Sequence, residues 1–252
     1  MSTLIFDIET IGDDFDSFDS ATQESLTRFI NRKPTEEHNR ILSEVKDGLG
    51  FSPLTGRIVA IGVFDNEREK GAVYFDTRGV IDNGGEIGKQ KIQNESEEVI
   101  GGKTIKLKPM NEKEMLGHFW HTVSNYDTFG TFNGRGFDVP FLMIRSAVHG
   151  IRPSKNLMSN RYLQNQDDDA CHIDLLDQLS FYGAVRRKGN LHLWCRAFGI
   201  ESPKASGITG DDVKRLYNEE RYLDIARYNA GDIIATNKLY QHWRKYLTNS
   251  KF

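Results

Sequence analysis

The sequence predicts an α/β domain in which helices pack on a central β-sheet, and three observations support this prediction. Short apolar runs typical of strands occupy residues 3–7, 56–64 and 71–76. The second half becomes increasingly helical, up to a long segment at residues 219–247. With 38% hydrophobic and 11% aromatic residues among 252, the chain can build the core of one such domain.

Composition excludes several other classes of protein. The chain lacks an apolar run of the roughly 18 residues that a membrane span needs, and its N-terminus lacks the layout of a signal peptide. The two cysteines, Cys171 and Cys195, do not have the spacing of a disulfide framework or a zinc site. We therefore expect no membrane partner and a reducing, cytoplasmic location.

The charge balance is mildly acidic, with a net charge of −3 from 33 basic and 36 acidic residues. A nucleic-acid partner usually calls for a basic surface. Carboxylates that bind divalent cations would offset the acidic balance, so the net charge does not exclude a nucleic-acid partner.

The N-terminal half alternates between strand and helix patterns. After the first strand, residues 13–55 break the β pattern with two helical segments, TQESLTRFI and TEEHNRILSEV. Two strands separated by a charged turn then begin at Gly56 and Gly71. The Gly-rich and charged residues 78–103 predict an exposed loop or hairpin, and TIKLKP after them predicts an edge strand closed by Pro109.

Helix-start signals become frequent beyond this point. Asn111 and Glu114 have the spacing of a capping box, which predicts a helix that ends near Asn125. Residues 127–150 predict a strand, a Gly-rich turn and a helix with Pro140 in its first turn. Short helices are predicted in HIDLLDQLSFYG, LHLWCRAFG and GDDVKRLYN.

Two acidic residues, Asp7 and Glu9, stand at the end of the first strand. Residues i and i+2 of a strand point to the same face, so both carboxylates meet there while Phe6 and Ile8 enter the core. Such a pair repels unless a cation lies between the charges, and Mg2+ or Mn2+ prefers oxygen ligands of this kind. By itself the pattern is a weak signal, and two solvated acids at a strand–loop junction are the more common explanation.

Two further acidic positions have both a structural and a chemical interpretation. Asp138 follows a Gly-rich turn that allows close approach to a ligand, although an aspartate at a helix start is also a common N-cap. Tyr228 and Asp232 are spaced i, i+4 and therefore share one helix face. They form either a solvated surface pair or a phenol beside a metal-binding carboxylate.

Taken together, these segments resemble a known family. FDIET at residues 6–10, TFNGRGFDVPFL at 131–142 and YNAGD at 228–232 are similar, in the correct order, to the three motifs of the DEDD 3′–5′ exonuclease superfamily. The second motif is especially similar to the proofreading exonuclease domain of family-B DNA polymerases. The chain also resembles a stand-alone group of predicted exonucleases related to that domain. Tyr228, with Arg227 where the sister subclass has histidine, is typical of the tyrosine (DEDDy) subclass.

This resemblance covers the chain from Leu4 to about Leu247, and no polymerase module follows in the sequence. It implies a ribonuclease H-like fold, a mixed central β-sheet flanked by helices. Residues 1–252 would form a single exonuclease domain with insertions at about 13–55 and 78–103. The implied reaction is metal-dependent hydrolysis of single-stranded DNA from the 3′ end to nucleoside 5′-monophosphates, with two Mg2+ or Mn2+ ions as cofactors.

Motif position assigns the roles that the resemblance implies. Asp7, Glu9 and Asp232 would bind one ion, and Asp7 would also reach a second ion near Asp138. Tyr228 would orient the attacking water, which completes the catalytic set.

The resemblance also implies contacts with the substrate. Thr10 and Ile11 would line the pocket of the terminal nucleotide, Asn133 would contact the strand and Phe137 would help wall the cleft. Seven basic residues are candidates for backbone contacts, although most are expected to be ordinary solvated surface: Arg135, Arg152, Lys155, Arg186, Arg187, Lys188 and Lys204.

Three alternatives stay open at the level of sequence. The first is a 3′–5′ exoribonuclease on the same scaffold, because recognition of the 2′-hydroxyl depends on pocket shape. The second is a non-catalytic nucleic-acid-binding protein, which the complete set of acids disfavours. The third is an endonuclease or junction nuclease with a ribonuclease H-like fold. The substrate is expected to be a 3′ end of single-stranded DNA, with RNA as the alternative. A polymerase or repair protein in trans is a candidate partner, and a role in DNA repair, DNA replication or degradation stays open.

Other conspicuous residues have structural interpretations. His172 and Asp174 form an H-x-D pattern, for which a helix cap at Asp174 is favoured over a metal pair. His192, Trp194 and Cys195 are expected to be core or half-buried packing.

Overall fold

The computed structural model describes residues 2–30, 34–78, 95–201, 207 and 209–248, together with the backbone of residues 86–87 and 90–91. Its central feature is a seven-stranded sheet in the order β6-β7-β3-β2-β1-β8-β9. The nine described strands are β1 (Thr3–Gly12), β2 (Gly56–Asp65), β3 (Lys70–Phe75), β4 (Glu86–Ile87), β5 (Gln90–Lys91), β6 (Ser96–Ile100), β7 (Lys103–Pro109), β8 (Thr128–Thr131) and β9 (Cys171–Asp174).

The sheet is mixed, as the sequence predicts. Strand β1 pairs with β2 in antiparallel fashion and with β8 in parallel fashion. The pairs β8–β9 and β3–β7 are parallel, whereas β2–β3 and β6–β7 are antiparallel. The isolated β4–β5 pair forms a second, two-stranded sheet.

One predicted strand position is wrong. The TIKLKP segment was expected at the sheet edge, but it forms β7, which lies between β3 and β6. Gly101 and Gly102 adopt φ values of +55° and +78°, so the chain turns back on itself and β6 covers the edge of β7. Residues 78–103 were expected to form a loop or hairpin, and their described end forms β6, the first strand of a hairpin with β7. Residues 79–85, 88–89 and 92–94 lie outside the described residues.

Helices cover both faces of the sheet. The described α-helices are α1 (Ser20–Thr27), α2 (His38–Gly48), α3 (Glu112–Val123), α4 (Asp138–Val148), α5 (Leu175–Leu179), α6 (Leu191–Ala197), α7 (Val213–Asn218) and α8 (Tyr222–Tyr246). None of them is both long and apolar enough to cross a membrane. The segment between β1 and β2 holds α1 and α2, and its status as an insertion stays a prediction.

Strand β1 divides the core into two parts because its side chains alternate between the faces. Phe6 and Ile8 pack with α3 and α4 on one face. Ile5 and Ile11 pack with α7 and α8 on the other. Helices α4 and α8 therefore pack on opposite faces of this one strand.

Helix α3 begins as the sequence predicts, because Asn111 and Glu114 form the capping box with bonds of 3.0 Å and 3.1 Å. An ion pair between Glu112 and Arg145 ties α3 to α4. Glu112 accepts hydrogen bonds from Arg145 at 2.9 Å and 2.7 Å and from the backbone N–H of Ile58 at 2.8 Å. Burial alone would raise the pKa of Glu112, but these donors keep it below its usual value. The carboxylate thus fixes α4 against β2.

Candidate active site

Asp7 and Glu9 lie on the face of β1 that α8 covers. Phe6 and Ile8 between and beside them point into the opposite core, as the strand pattern predicts. Asp7 is opposite Gly62 and Glu9 is opposite Ala60 on β2, so small residues leave room above this part of the sheet. The two carboxylates therefore project towards α8 rather than into packed side chains.

Helix α8 completes the cluster from above. Tyr228 and Asp232 lie one turn apart on the helix face that meets β1. One carboxylate oxygen from each of Asp7, Glu9 and Asp232 lies within 4.8 Å of the others. These three groups are hard oxygen ligands in a compact arrangement, which is the donor set that Mg2+ and Mn2+ prefer.

Asp138 reaches the same strand from α4. Strand β8 pairs with β1 only as far as Ile5, so the backbone N–H of Ile8 has no strand partner on that side. Asp138 accepts this N–H at 3.0 Å and is 3% exposed. The N-cap position of α4 is Phe137 and Asp138 is the first residue within the helix, so Asp138 is not the N-cap.

Burial and mutual repulsion disfavour the charged form of this cluster. Burial, with repulsion from Asp138 and Asp232, raises the pKa of Asp7 well above its usual value, and burial also raises that of Glu9. For Asp138, burial raises the pKa to about 7, against the bond from Ile8. A cation bound among these carboxylates would remove both penalties, and therefore the residues present fit a divalent metal.

Tyr228 stays a hydroxyl donor beside these carboxylates. Its side chain is 9% exposed, and burial raises its pKa above the usual value of a tyrosine. The charges of Asp232, Glu9 and Asp7 and a hydrogen bond to Asp232 add to this shift. The phenol therefore keeps its proton at any physiological pH and presents it to the Asp232 side of the site.

Asp174 both caps α5 and holds the turn before α4. Asp174 caps α5 through the N–H of Leu176 at 2.9 Å, as predicted. The same carboxylate accepts the N–H groups of Asn133 at 2.9 Å and Arg135 at 3.0 Å. Asn133 lies at φ +64°, a left-handed conformation that these bonds stabilise. Sequence reasoning identified the cap but missed its support of the turn.

His172 is part of the same scaffold and not of a metal pair. Its ring is hydrogen-bonded to Thr131 at 2.8 Å and to the carbonyl of Leu157 at 3.0 Å. Complete burial lowers its pKa to about 4, so the ring is neutral at pH 7.

A cavity of about 270 Å³ opens above the acidic cluster. Asp7, Tyr228 and Asp232 line one part of it, and the described residues that complete its lining are Phe132, Asn190, Leu191, His192, Thr209, Gly210 and Asp211. His192 was expected to be packing only, yet it borders this cavity. Its position is set by α6, and only the tertiary structure could reveal it.

The four predicted substrate contacts are near β1 and the turn, outside that lining. Thr10 donates its hydroxyl to the carbonyl of Gly50 at 2.7 Å, and Ile11 is 4% exposed. Asn133 is exposed, and Phe137 is half-buried with its ring 6.5 Å from that of Phe51. Contact of these residues with a nucleotide stays a prediction.

Six of the seven predicted basic contacts lie among the described residues, and these six divide into two groups. Lys155 and Arg135 donate to backbone carbonyls of the protein, those of Tyr126 and Leu157 respectively. Four others are exposed and lie outside the acidic cluster: Arg152, Arg186, Arg187 and Lys188. Lys204 lies outside the described residues. Arg227, beside Tyr228, forms two bonds with Glu98 on β6, at 2.9 Å and 2.8 Å.

The fold is similar to that of one part of a family B DNA polymerase. The family B DNA polymerase from the hyperthermophilic archaeon Pyrobaculum calidifontis superposes on 96% of this chain with a TM-score of 0.54 and 16% sequence identity. Only 24% of that polymerase is covered by the match. This likeness confirms the predicted ribonuclease H-like α/β fold, a mixed sheet flanked by helices.

Family comparison gives the affiliation. Residues 90–251 match the family described as predicted 3′–5′ exonuclease related to the exonuclease domain of PolB. The chain belongs to this family. No curated protein matches the sequence. The matched residues include Asp138, Tyr228 and Asp232, while Asp7 and Glu9 precede them and join the cluster through the fold.

Proposed function

We propose that the protein is a metal-dependent 3′–5′ exonuclease that hydrolyses single-stranded DNA to nucleoside 5′-monophosphates. The observation that carries the proposal is the convergence of Asp7, Glu9 and Asp232, whose carboxylate oxygens lie within 4.8 Å of one another. Asp138 and Tyr228, from two further positions of the three motifs, adjoin the same cluster.

The carboxylates divide between two ion sites. Asp7, Glu9 and Asp232 would hold one divalent ion, and Asp7 with Asp138 would hold the second. Bound ions of this kind lower the pKa of a coordinated water and stabilise the negative charge on the departing oxygen. Removal of the ions leaves four carboxylates that repel the substrate phosphate, so the metal-free protein is expected to be inactive.

Tyr228 acts on the attacking water. Its raised pKa keeps the phenol protonated, and its hydrogen bond to Asp232 fixes the direction of the ring. The hydroxyl oxygen can accept or donate a hydrogen bond, so it orients the water for in-line attack without changing charge itself.

The direct test uses single-stranded oligonucleotides labelled at the 5′ end or the 3′ end, incubated with Mg2+ or Mn2+. We expect a 5′-labelled ladder that shortens from the 3′ end, and early release of labelled mononucleotide from the 3′-labelled strand. Chelation of the metal abolishes both signals. DNA and RNA strands of equal sequence, run in parallel, measure the preference between the two nucleic acids.

Asp7→Ala is expected to lower the rate by at least about 1000-fold, because it removes a ligand of both proposed ions. Asp47→Ala, an exposed acid at the end of α2, serves as the matched control and keeps wild-type activity. Degradation that is unaffected by Asp7→Ala, or that proceeds equally on a circular single strand, would contradict the proposal.

A further inference from the structure

Asn229 lies between Tyr228 and Asp232 in the third motif but has no role assigned by the resemblance. Its side chain is completely buried, on the face of α8 that meets β1. Its amide nitrogen donates a hydrogen bond of 2.8 Å to Oδ2 of Asp7. A fully buried amide that contacts a carboxylate of the acidic cluster is placed to control how that carboxylate points.

The position of the amide depends on a glycine in the neighbouring strand. Gly62 is the residue directly opposite Asp7 in the β1–β2 pair. Opposite residues of an antiparallel pair project their side chains on the same face, so a side chain at position 62 would stand beside that of Asp7. A Cβ atom at Gly62 would lie 2.2 Å from Oδ1 of Asn229 and 2.9 Å from Cγ2 of Ile233. The amide occupies the space that the missing side chain leaves.

The orientation of the amide follows from this arrangement. Oδ1 of Asn229 is buried against Gly62 and has no hydrogen-bond partner among the described residues. An amide whose oxygen is directed at Gly62 directs its nitrogen at Asp7. A buried acceptor without a partner is uncommon in proteins and calls for an explanation. The explanation offered by the geometry is that the donor end of the same group is needed at Asp7.

We propose that Asn229 and Gly62 form a positioning pair that orients the Asp7 carboxylate for metal binding. Gly62 leaves the space, Asn229 fills it, and the N–H of the amide holds Oδ2 of the Asp7 carboxylate, which lies in the cluster with Glu9 and Asp232. This inference rests on the proposed metal-dependent function. Residues that orient metal ligands in this way typically change metal affinity or activity by about 10- to 100-fold when they are removed.

The first measurement is Mn2+ binding to the protein without nucleic acid, by electron paramagnetic resonance of the free ion and by calorimetry. Asn229→Ala is expected to weaken Mn2+ binding by about tenfold or more and to raise the Mn2+ concentration needed for half-maximal activity by a similar factor. Asn229→Leu keeps the volume of the side chain and removes the donor, so it is expected to have the same effect without leaving a cavity.

Asn237 offers a matched control on the same helix. It is 3% exposed and, like Asn229, has an Oδ1 without a hydrogen-bond partner among the described residues. Asn237→Ala is expected to change Mn2+ affinity less than twofold, whatever it does to the melting temperature. This comparison separates the loss of a buried amide in general from the loss of the contact with Asp7.

A double-mutant cycle tests the pairing with Gly62. Gly62→Ala is expected to weaken Mn2+ binding because its methyl group displaces the amide of Asn229. In the Asn229→Ala background the amide no longer occupies this space and the contact with Cγ2 of Ile233 remains, so Gly62→Ala is expected to add little further loss of Mn2+ affinity. Gly130→Ala places a methyl group 2.5 Å from Cδ1 of Ile5 in the same sheet, and it controls for overpacking at a buried strand glycine.

Two results would overturn the inference. One is Mn2+ affinity within twofold of wild type in both Asn229→Ala and Asn229→Leu, and the other is a cycle in which the Gly62 and Asn229 effects simply add. These outcomes are distinct from a failure of the proposed function. If the proposed function fails while the inference holds, wild-type protein binds Mn2+ with an affinity that depends on Asn229, but it degrades neither DNA nor RNA.

Discussion

At the scale of single residues, the site is built from buried and half-buried groups whose neighbours decide their chemistry. Asp7 and Glu9 follow from strand alternation, and Tyr228 and Asp232 from helix spacing. Asp138 takes a different route, since it replaces the missing strand partner of Ile8. The same physical rule, that a buried polar group needs a partner, explains both this bond and the contact of Asn229 with Asp7.

Removal of the Tyr228 hydroxyl is the sharpest single-residue test of the proposed mechanism. Tyr228→Phe keeps the ring in its buried place and deletes only the group that would orient the water. We expect kcat to fall by about 100-fold, with Mn2+ affinity and KM within about threefold of wild type. Single-turnover degradation of a labelled strand measures this rate.

Tyr240→Phe provides the control for that experiment. Tyr240 is 2% exposed on the same helix, and its hydroxyl lies 3.3 Å from that of Thr3, away from the carboxylate cluster. It is expected to lose stability slightly and to keep its activity. Equal rates for Tyr228→Phe and wild type would exclude a role of the phenol in orienting water.

At the scale of elements, strand ends and the turn before α4 position the acids. Strand β8 stops early and leaves the N–H of Ile8 free for Asp138. The turn that follows β8 is held by Asp174, which joins β9, α5 and the turn through three backbone N–H groups. The direction in which α4 presents Asp138 therefore depends on a side chain about 40 positions further along the chain.

Asp174→Ala tests this support. The substitution leaves one buried and two part-buried backbone N–H groups without this acceptor, so we expect the free energy of unfolding to fall by about 3 kcal/mol. We also expect activity to fall because Asp138 moves with the turn. Urea unfolding and the labelled-strand assay measure the two effects.

Asp19→Ala gives the comparison for an ordinary helix cap. Asp19 caps α1 through the N–H of Thr22 at 2.9 Å and is exposed. Its loss is expected to reduce stability less than the loss of Asp174 does, with no change in activity. If Asp174→Ala behaves like Asp19→Ala in both measurements, the turn does not depend on Asp174.

At the scale of the whole molecule, the charge distribution couples folding to pH and to metal. The folded protein gathers carboxyl groups whose pKa values are raised by burial and repulsion, with that of Asp138 at about 7. Between the usual pKa of an aspartate and this raised value, the folded state binds more protons than the unfolded state. Stability is therefore lost as pH rises through the folded pKa.

This sign gives a prediction for protein kept in chelator. From pH 6.5 to pH 8 the melting temperature is expected to fall. The underlying free energy of unfolding falls by at most about 1.4 kcal/mol per pH unit for each such group. Below pH 6.5 the opposite effect of His172 begins, because its folded pKa of about 4 lies under its unfolded value.

Mn2+ is expected to raise the melting temperature at pH 8 by more than at pH 6.5, because bound metal replaces the protons that stabilise the cluster. Asp138→Asn is expected to reduce the pH dependence in chelator. Calorimetry at several pH values, with and without metal, measures both effects. A melting temperature that rises with pH over this window in chelator would contradict the raised carboxyl pKa values.

Sequence patterns predicted features whose cause is local. The capping box at Asn111, the cap at Asp174 and the shared face of Tyr228 and Asp232 depend only on the spacing of neighbouring residues, so they could be identified before any fold was known. The predicted position of β7 at the sheet edge was wrong because a strand's place in a sheet depends on which distant segment pairs with it. The hairpin at Gly101 and Gly102, and not the TIKLKP sequence itself, decides that β6 takes the edge.

The sequence by itself determined which residues are candidates for the chemistry of this protein, because the order of three short motifs and the two periodicities of strand and helix can be read along the chain. Only the tertiary structure decided how those residues meet. Three contacts arise where distant segments touch. They are the bond from the Ile8 N–H to Asp138, the filling of the space at Gly62 by Asn229, and the bonds of Asp174 to the turn. Such contacts are set by packing between elements, and packing leaves no periodic signal in the order of residues.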